Sequence, residues 1–352
     1  MKTYRTIILT LILASACTKS SVTYMEPGTM TIQPVSEGMT KAAVGAVPTD
    51  QELYIYANYT EGKPAGTKYL DKAVFAQDGT SGIWKGVGQD YFWPKSGKIT
   101  LSGCTAISEV VNYSYEGNTI QVPDYQQSLD PSETVDFLWF NQTPATNLDR
   151  ATQESLPVTM NHALTWVTIK ASGFGGSIGW KIKSITLKGV KDKGALTCKT
   201  VTTDSGSEAV AEWTGTTWTE ADWQENNTQQ FKVFKAQNIE TDCKILAADA
   251  QDIENVSGGT VLIPQTPVKM EVEYQAGSAW KTKELDLMIS TDPDKNFWEA
   301  GMHYIYSITF NPYKITFTVT ENTWENGNPV DENGVPKDDI DVDSYKDSEI
   351  NP

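Results

Sequence analysis

The chain has 352 residues, with 45 acidic against 28 basic side chains and a formal net charge of −17 at pH 7. Such a surface repels nucleic acid and favours solubility, and it needs no special partner to explain it. Four cysteines, two histidines and no C-x-x-C pair leave too little for a disulfide framework or a zinc site of ordinary spacing, so neither metal nor cofactor is expected.

At the N-terminus Lys2 and Arg5 precede an apolar run, Ile7 to Leu13, too short to cross a bilayer and typical of a signal-peptide core over residues 1–16. The run ends in Ala14-Ser15-Ala16-Cys17, small residues before a cysteine, which is how a bacterial lipoprotein signal ends. Cys17 is therefore the expected lipidation site. No other stretch approaches the roughly 18 apolar residues of a membrane span, so the expected link to the outer membrane is lipid alone. Residues 17–44 form a small, polar N-terminal segment with one β-like run, Thr29 to Val35.

Strand signals follow in order. Alternating apolar residues mark 52–58, 98–102, 109–115, 135–140, 182–190, 268–274 and 303–320, separated by turn clusters such as Asp78-Gly79 and Glu116-Gly117-Asn118. No dozen-residue window carries a helical stripe, and β-branched and aromatic residues are abundant, so an all-β protein of sandwich type is expected. Asn141 to Leu156 is the least strand-like internal stretch and sets a domain boundary, giving an N-terminal sandwich over 45–156 and a C-terminal one over 157–328. The acidic stretch 329–352, broken by Gly334 and Pro336, reads either as a solvated tail or as a donor segment.

Gly175-Gly176-Ser177-Ile178-Gly179 spells the G-x-S-x-G of hydrolases, and Asp292 or Asp294 followed by His303 supplies the matching order. The motif needs a helix leaving the serine, whereas Trp180-Lys181-Ile182 opens a strand, so a turn is expected and the protein is not read as an enzyme. His162 lies in an apolar strand pattern and is expected to be a packed, hydrogen-bonded histidine. Trp213, Trp218 and Trp223 are either a sugar-stacking platform or, for the first two, a pair packed across the turn Thr214 to Thr217.

Several segments together carry a resemblance. These are Tyr91-Phe92-Trp93-Pro94 with the strand Lys98 to Ser102, then Val158 to Lys170, then Ile182 to Leu196, then Ile263-Pro264-Gln265 before Val268 to Tyr274, and Trp298-Glu299-Ala300-Gly301 leading into Tyr304-Ile305-Tyr306. In this order, over roughly 45–326, the chain resembles the fimbrillins, subunits of the lipoprotein-derived (type V) pili of anaerobic Gram-negative bacteria.

The resemblance implies two transthyretin-like β-sandwich domains in tandem and a structural pilus subunit at the cell surface. Such subunits assemble by donor-strand exchange with copies of themselves or related pilins, and serve adhesion or biofilm formation. It also implies removal of an N-terminal strand, best matched here by Met30, Ile32 and Val35, after cleavage at Lys41 and Ala42. Family major subunits are cut after an arginine, which this region lacks, so an uncut anchor subunit stands beside that expectation. Ile340 and Val342 are the candidate donor residues at the other end. A monomeric surface lipoprotein that binds a host glycan or protein is the alternative function.

Overall fold

A computed structural model describes residues 28–35, 51–79, 82–107, 110–142, 155–173, 179–204, 206–217, 230–253, 259–311 and 315–323. The first ten strands are β1 (Thr31–Val35), β2 (Glu52–Glu61), β3 (Lys68–Gln77), β4 (Trp84–Gly86), β5 (Lys98–Thr105), β6 (Asn112–Ser114), β7 (Thr119–Gln126), β8 (Leu138–Gln142), β9 (Leu156–Thr159) and β10 (Asn161–His162). Next come β11 (Thr165–Gly173), β12 (Lys181–Lys188), β13 (Lys193–Thr203), β14 (Gly206–Thr217), β15 (Gln230–Lys235) and β16 (Lys244–Ile245). The last are β17 (Gln251–Asp252), β18 (Thr260–Leu262), β19 (Lys269–Ala276), β20 (Ala279–Asp286), β21 (Met302–Phe310) and β22 (Ile315–Thr323). Among the described residues there is no α-helix, in keeping with the all-β pattern.

The largest sheet runs β10-β8-β5-β2-β3-β4-β1-β9. One of its faces collects Leu53, Ile55, Phe75, Ile99, Leu101, Phe140, Leu156 and Val158 with Met30, Ile32, Trp84 and Trp93 in a single buried cluster. Every member comes from this sheet or the loops adjoining it, so the sheet curls around its own core. Register breaks in β2, between Ile55 and Ala57 and on to Asn58, supply the curl. Lys72, beside them in β3, has the positive φ of 52° that a distorted strand tolerates.

On the other face of this sheet Tyr56, Cys104 and Trp139 pack against Ile120, Val122, Leu196 and Cys198 of a four-stranded sheet, β14-β13-β7-β6. This central sheet pairs β7 with β13 from Cys198↔Ile120 to Lys193↔Gln126. The sheets therefore do not part at the 156/157 boundary read from the sequence. Strands on both sides of it share one ladder, and β9 and β10 pair within the largest sheet.

Two further sheets, β17-β11-β21-β22 and β15-β12-β19-β20, with β18 joined to β11 and β16 to β12, enclose a third core. Alternation places Tyr304, Tyr306, Ile308 and Phe310 of β21 inward against Ile182, Ile185, Met270 and Val272. Strand β20 ends this layer, and there Lys283 and Lys281 stand opposite the buried Val272 and Tyr274, on the side their neighbours give to the core. Inward-pointing charge on an edge strand opposes sideways pairing with another sheet.

Some local expectations change. The run 303–320 is not one strand but the hairpin β21–β22, because the alternation is interrupted after Phe310. Residues 135–137 precede β8 rather than belonging to it. Thr214 to Thr217 is no turn but the end of β14, where Gly215, at φ 59°, accommodates the register shift opposite Lys193 and Ala195.

Candidate functional site: the slot of the N-terminal strand

The short run Thr-Met-Thr-Ile-Gln-Pro-Val alternates, so an extended backbone sends Met30 and Ile32 to one side. Both are 0% exposed, inside the core of the largest sheet. β1 pairs antiparallel with β4 at Thr31↔Lys85 and Ile32↔Trp84, and parallel with β9 from Ile32↔Leu156 to Val35↔Thr159. Beyond Ile32, β9 alone accompanies it among the described residues. Pro34, which lacks an N–H, falls in that one-sided part, where a missing donor costs least.

The motif Tyr91-Phe92-Trp93-Pro94 forms part of the slot wall. Met30 N donates to Tyr91 O at 2.6 Å and Trp93 N donates to Gly28 O at 3.1 Å, around a bridge between Thr29 and Phe92. Trp93 is buried in the same core, Tyr91 stacks on Phe75 at 5.5 Å, and the Tyr69 hydroxyl donates to Phe92 O at 2.5 Å. Burial holds that Tyr69 phenol up to about 12. Opposite lies β9, a sheet edge whose Pro157 again suits an unpaired side.

Burying Met30 and Ile32 contributes on the order of 3–6 kcal/mol gross. Taking β1 away would leave β4 and β9 facing each other across two strand spacings, about 9.6 Å. That gap has the width and apolar floor of one missing strand.

Of the residues singled out from the sequence, Met30 and Ile32 share one core, and Val35 is the last residue of β1. Cys17, Lys41, Ala42, Ile340 and Val342 lie outside the described residues, as do Ser177, Trp218 and Trp223. His162 is buried, its Nδ1 bonded to the Asp136 carboxylate, as a packed histidine would be. His303 stacks on Trp166 with ring centroids 3.5 Å apart and bonds Thr168 Oγ1 at 2.9 Å. Asp292 caps a single 3-10 turn, Pro293–Lys295.

Trp213 donates from Nε1 to Ala163 O at 2.7 Å and meets Tyr125 edge-on, which makes it a packing residue. Cys104 and Cys198 are free thiols sealed in the central core, and burial pushes the Cys104 thiol up to about 12. Among the described residues no group of three or more His, Cys, Asp or Glu could hold a metal ion.

The sequence reading missed a polar clasp that fixes the β6–β7 hairpin over the largest sheet. Tyr113 stacks on Tyr56 at 4.7 Å, and its hydroxyl meets Ser102 Oγ at 3.0 Å and donates to Asn118 Oδ1 at 3.2 Å. Tyr115 donates to Asp71 Oδ1 at 2.7 Å. Lys68 and Tyr115 both bond the Asp71 carboxylate and hold it below its ordinary range. Only the spacing of tyrosines in Asn112 to Tyr115 hints at this, and a two-residue alternation does not name its partners.

The fimbrillin-like family model matches residues 40–324. Among solved structures, a candidate cell adhesion protein of Bacteroides uniformis ATCC 8492 is similar at 14% identity, covering 84% of this chain and 99% of that one, with a TM-score of 0.49. The fimbrial anchor protein Mfa2 of Porphyromonas gingivalis aligns at 11% identity over 85% of this chain and 98% of its own, with a TM-score of 0.31. The tip fimbrial protein Mfa3 of the same organism aligns at 9% identity over 84% and 100%, with a TM-score of 0.38. No curated protein sequence matches.

Proposed function

Because the chain belongs to the fimbrillin-like family, we propose that it is a non-enzymatic structural subunit of a cell-surface pilus that assembles by strand exchange with its own copies or related pilins. The observation that carries the reading is β1 itself, a short strand that contributes Met30 and Ile32 to a core its sheet otherwise encloses. Its removal would expose a slot that an incoming strand fills with equivalent burial and main-chain pairing.

In this reading Cys17 carries the lipid that brings the subunit to the outer membrane, and cleavage between Lys41 and Ala42 frees the segment holding Met30, Ile32 and Val35. Ile340 and Val342, alternating with aspartates, then enter a neighbour's slot. The pilus serves adhesion or biofilm formation.

Cutting the purified protein after Lys41 and adding a synthetic peptide of residues 337–346 tests this. The cut protein should release its N-terminal piece and hold the peptide one to one in native mass spectrometry, while uncut protein holds none. A cut protein that keeps β1, or that loses it and takes up no strand, overturns the reading.

A further inference from the structure

Although the chain is strongly acidic, three adjoining strands carry cations alone. β12, β15 and β16 carry Lys181, Lys183, Lys188, Lys232, Lys235 and Lys244 and not one acidic residue. Lys183 is neutralised by Glu273 at 2.5 Å, and Lys188 by Glu271 at 2.5 Å and Glu284 at 2.6 Å, all from β19 and β20. Lys181, Lys232, Lys235 and Lys244 form no such pair among the described residues. Lys244, opposite the buried Ile182 and over the Phe234 ring at 5.8 Å, turns to the core side, while Lys181, Lys232 and Lys235 stay on the outer face. The acids nearest along the chain are Glu240 and Asp242, in the turn before β16, where Asp242 accepts bonds from Asn238 N at 2.8 Å and Thr241 Oγ1 at 2.6 Å.

The same region exposes aliphatic surface. Ile245, paired with Lys181 in the ladder, is 63% exposed, and Ile239 in the adjoining turn is 44% exposed. Lysines interleaved with bare isoleucines fit a partner that interleaves carboxylates with aliphatic groups.

The chain contains one. Residues 329–352 hold eight acidic side chains against two lysines, and Asp339-Ile340-Asp341-Val342-Asp343 alternates carboxylate and branched aliphatic residue by residue. Fifteen residues, 324–338, separate it from the end of β22. At full extension they reach about 50 Å, well beyond the two-layer sandwich, whose sheets lie about 10 Å apart. Being tethered, the segment meets the patch at millimolar effective concentration, so individually weak surface pairs suffice.

We infer that the acidic segment 339–343 docks on its own chain's patch of Lys181, Lys232, Lys235, Ile239 and Ile245. The inference rests on charge and shape at this patch and is independent of the strand-exchange reading. If both hold, docking keeps Ile340 and Val342 from a neighbour until it is released.

Lysine acetylation of the full chain, quantified residue by residue by mass spectrometry, tests the docking against D339N/D341N/D343N. The three patch lysines should react about fivefold more slowly in the natural chain, as a docked fraction near four fifths requires. Lys63 and Lys95, exposed elsewhere, should react alike in both proteins. Protection should fade in 0.5 M salt, about two Debye-length halvings above low-salt buffer. Equal rates overturn the inference. Protection that vanishes on dilution assigns the patch to a second copy, and protection conferred equally on both proteins by phosphatidylglycerol vesicles assigns it to an anionic membrane. Either result overturns docking within the chain.

Discussion

Strands β1 and β22 are the first and last described strands and both fill cores, yet they are held very differently. β22 contributes the buried Ile315 and Val319 and pairs with β21 along nine residues, from Met302↔Thr323 to Phe310↔Ile315, across a short hairpin connection. β1 buries Met30 and Ile32 as completely but has two paired positions on β4 and four on β9. Its partners lie about fifty and more than a hundred residues away. Burial alone therefore does not set how firmly a strand is kept. Ladder length and the sequence distance to the partner decide whether its loss is local or global.

The largest test of this contrast is damage beside β22. Trp298 is 0% exposed and donates from Nε1 to the Tyr306 hydroxyl at 2.9 Å. Trp298→Ala should cost about 3–5 kcal/mol and lower the urea midpoint of the whole protein. A change confined to local proteolysis would show that the C-terminal core is as detachable as β1.

Ile32→Ala is the counterpart at the N-terminal strand, with an expected cost of about 2–4 kcal/mol. It should speed trypsin cleavage at Lys41 severalfold in a timed digest while β21 and β22 keep their amide-exchange protection. Matching losses at both ends would erase the distinction.

The clasp gives the smallest effect and a pH signature. Burial holds the Tyr113 phenol up to about 12, against an ordinary value of 10. A raised folded-state value means stability is fully present below pH 10 and is lost as the pH rises toward 12, by on the order of 2 kcal/mol. In denaturant titrations at stepped pH, Tyr113→Phe should flatten that alkaline decline and cost about 1 kcal/mol at pH 7. An unchanged slope would remove Tyr113 from the group of residues that pin the β6–β7 hairpin.

Much of this was legible from residue periodicity, and where it was not the reasons are physical. β19 and β21 alternate cleanly because each has one face in a core, and β2 and β5, buried on both faces, still alternate in residue type along much of their length. β3 escaped notice since its distortion at Lys72 turns both Leu70 and Ala73 inward, breaking the two-residue period. The end of β14 was mistaken for a turn because Thr-Gly-Thr-Thr carries turn chemistry, which a register shift uses equally well. Thr29 to Val35 was recognisable as a strand, but its slot was not. Parallel pairing with residues more than 120 positions on leaves no local trace, and Tyr91 to Trp93 reveal their role only through backbone bonds. The fused central ladder was hidden for the same reason.

That ladder has a consequence for biosynthesis. A nascent chain that has delivered β2, β5 and β8 has only the β6–β7 hairpin to lay over Tyr56, Cys104 and Trp139, and their cover is incomplete until β13, some fifty residues later, leaves the ribosome with Leu196 and Cys198. The N-terminal half is thus kept from settling early, a useful property in a polypeptide that must stay threadable before it reaches its destination.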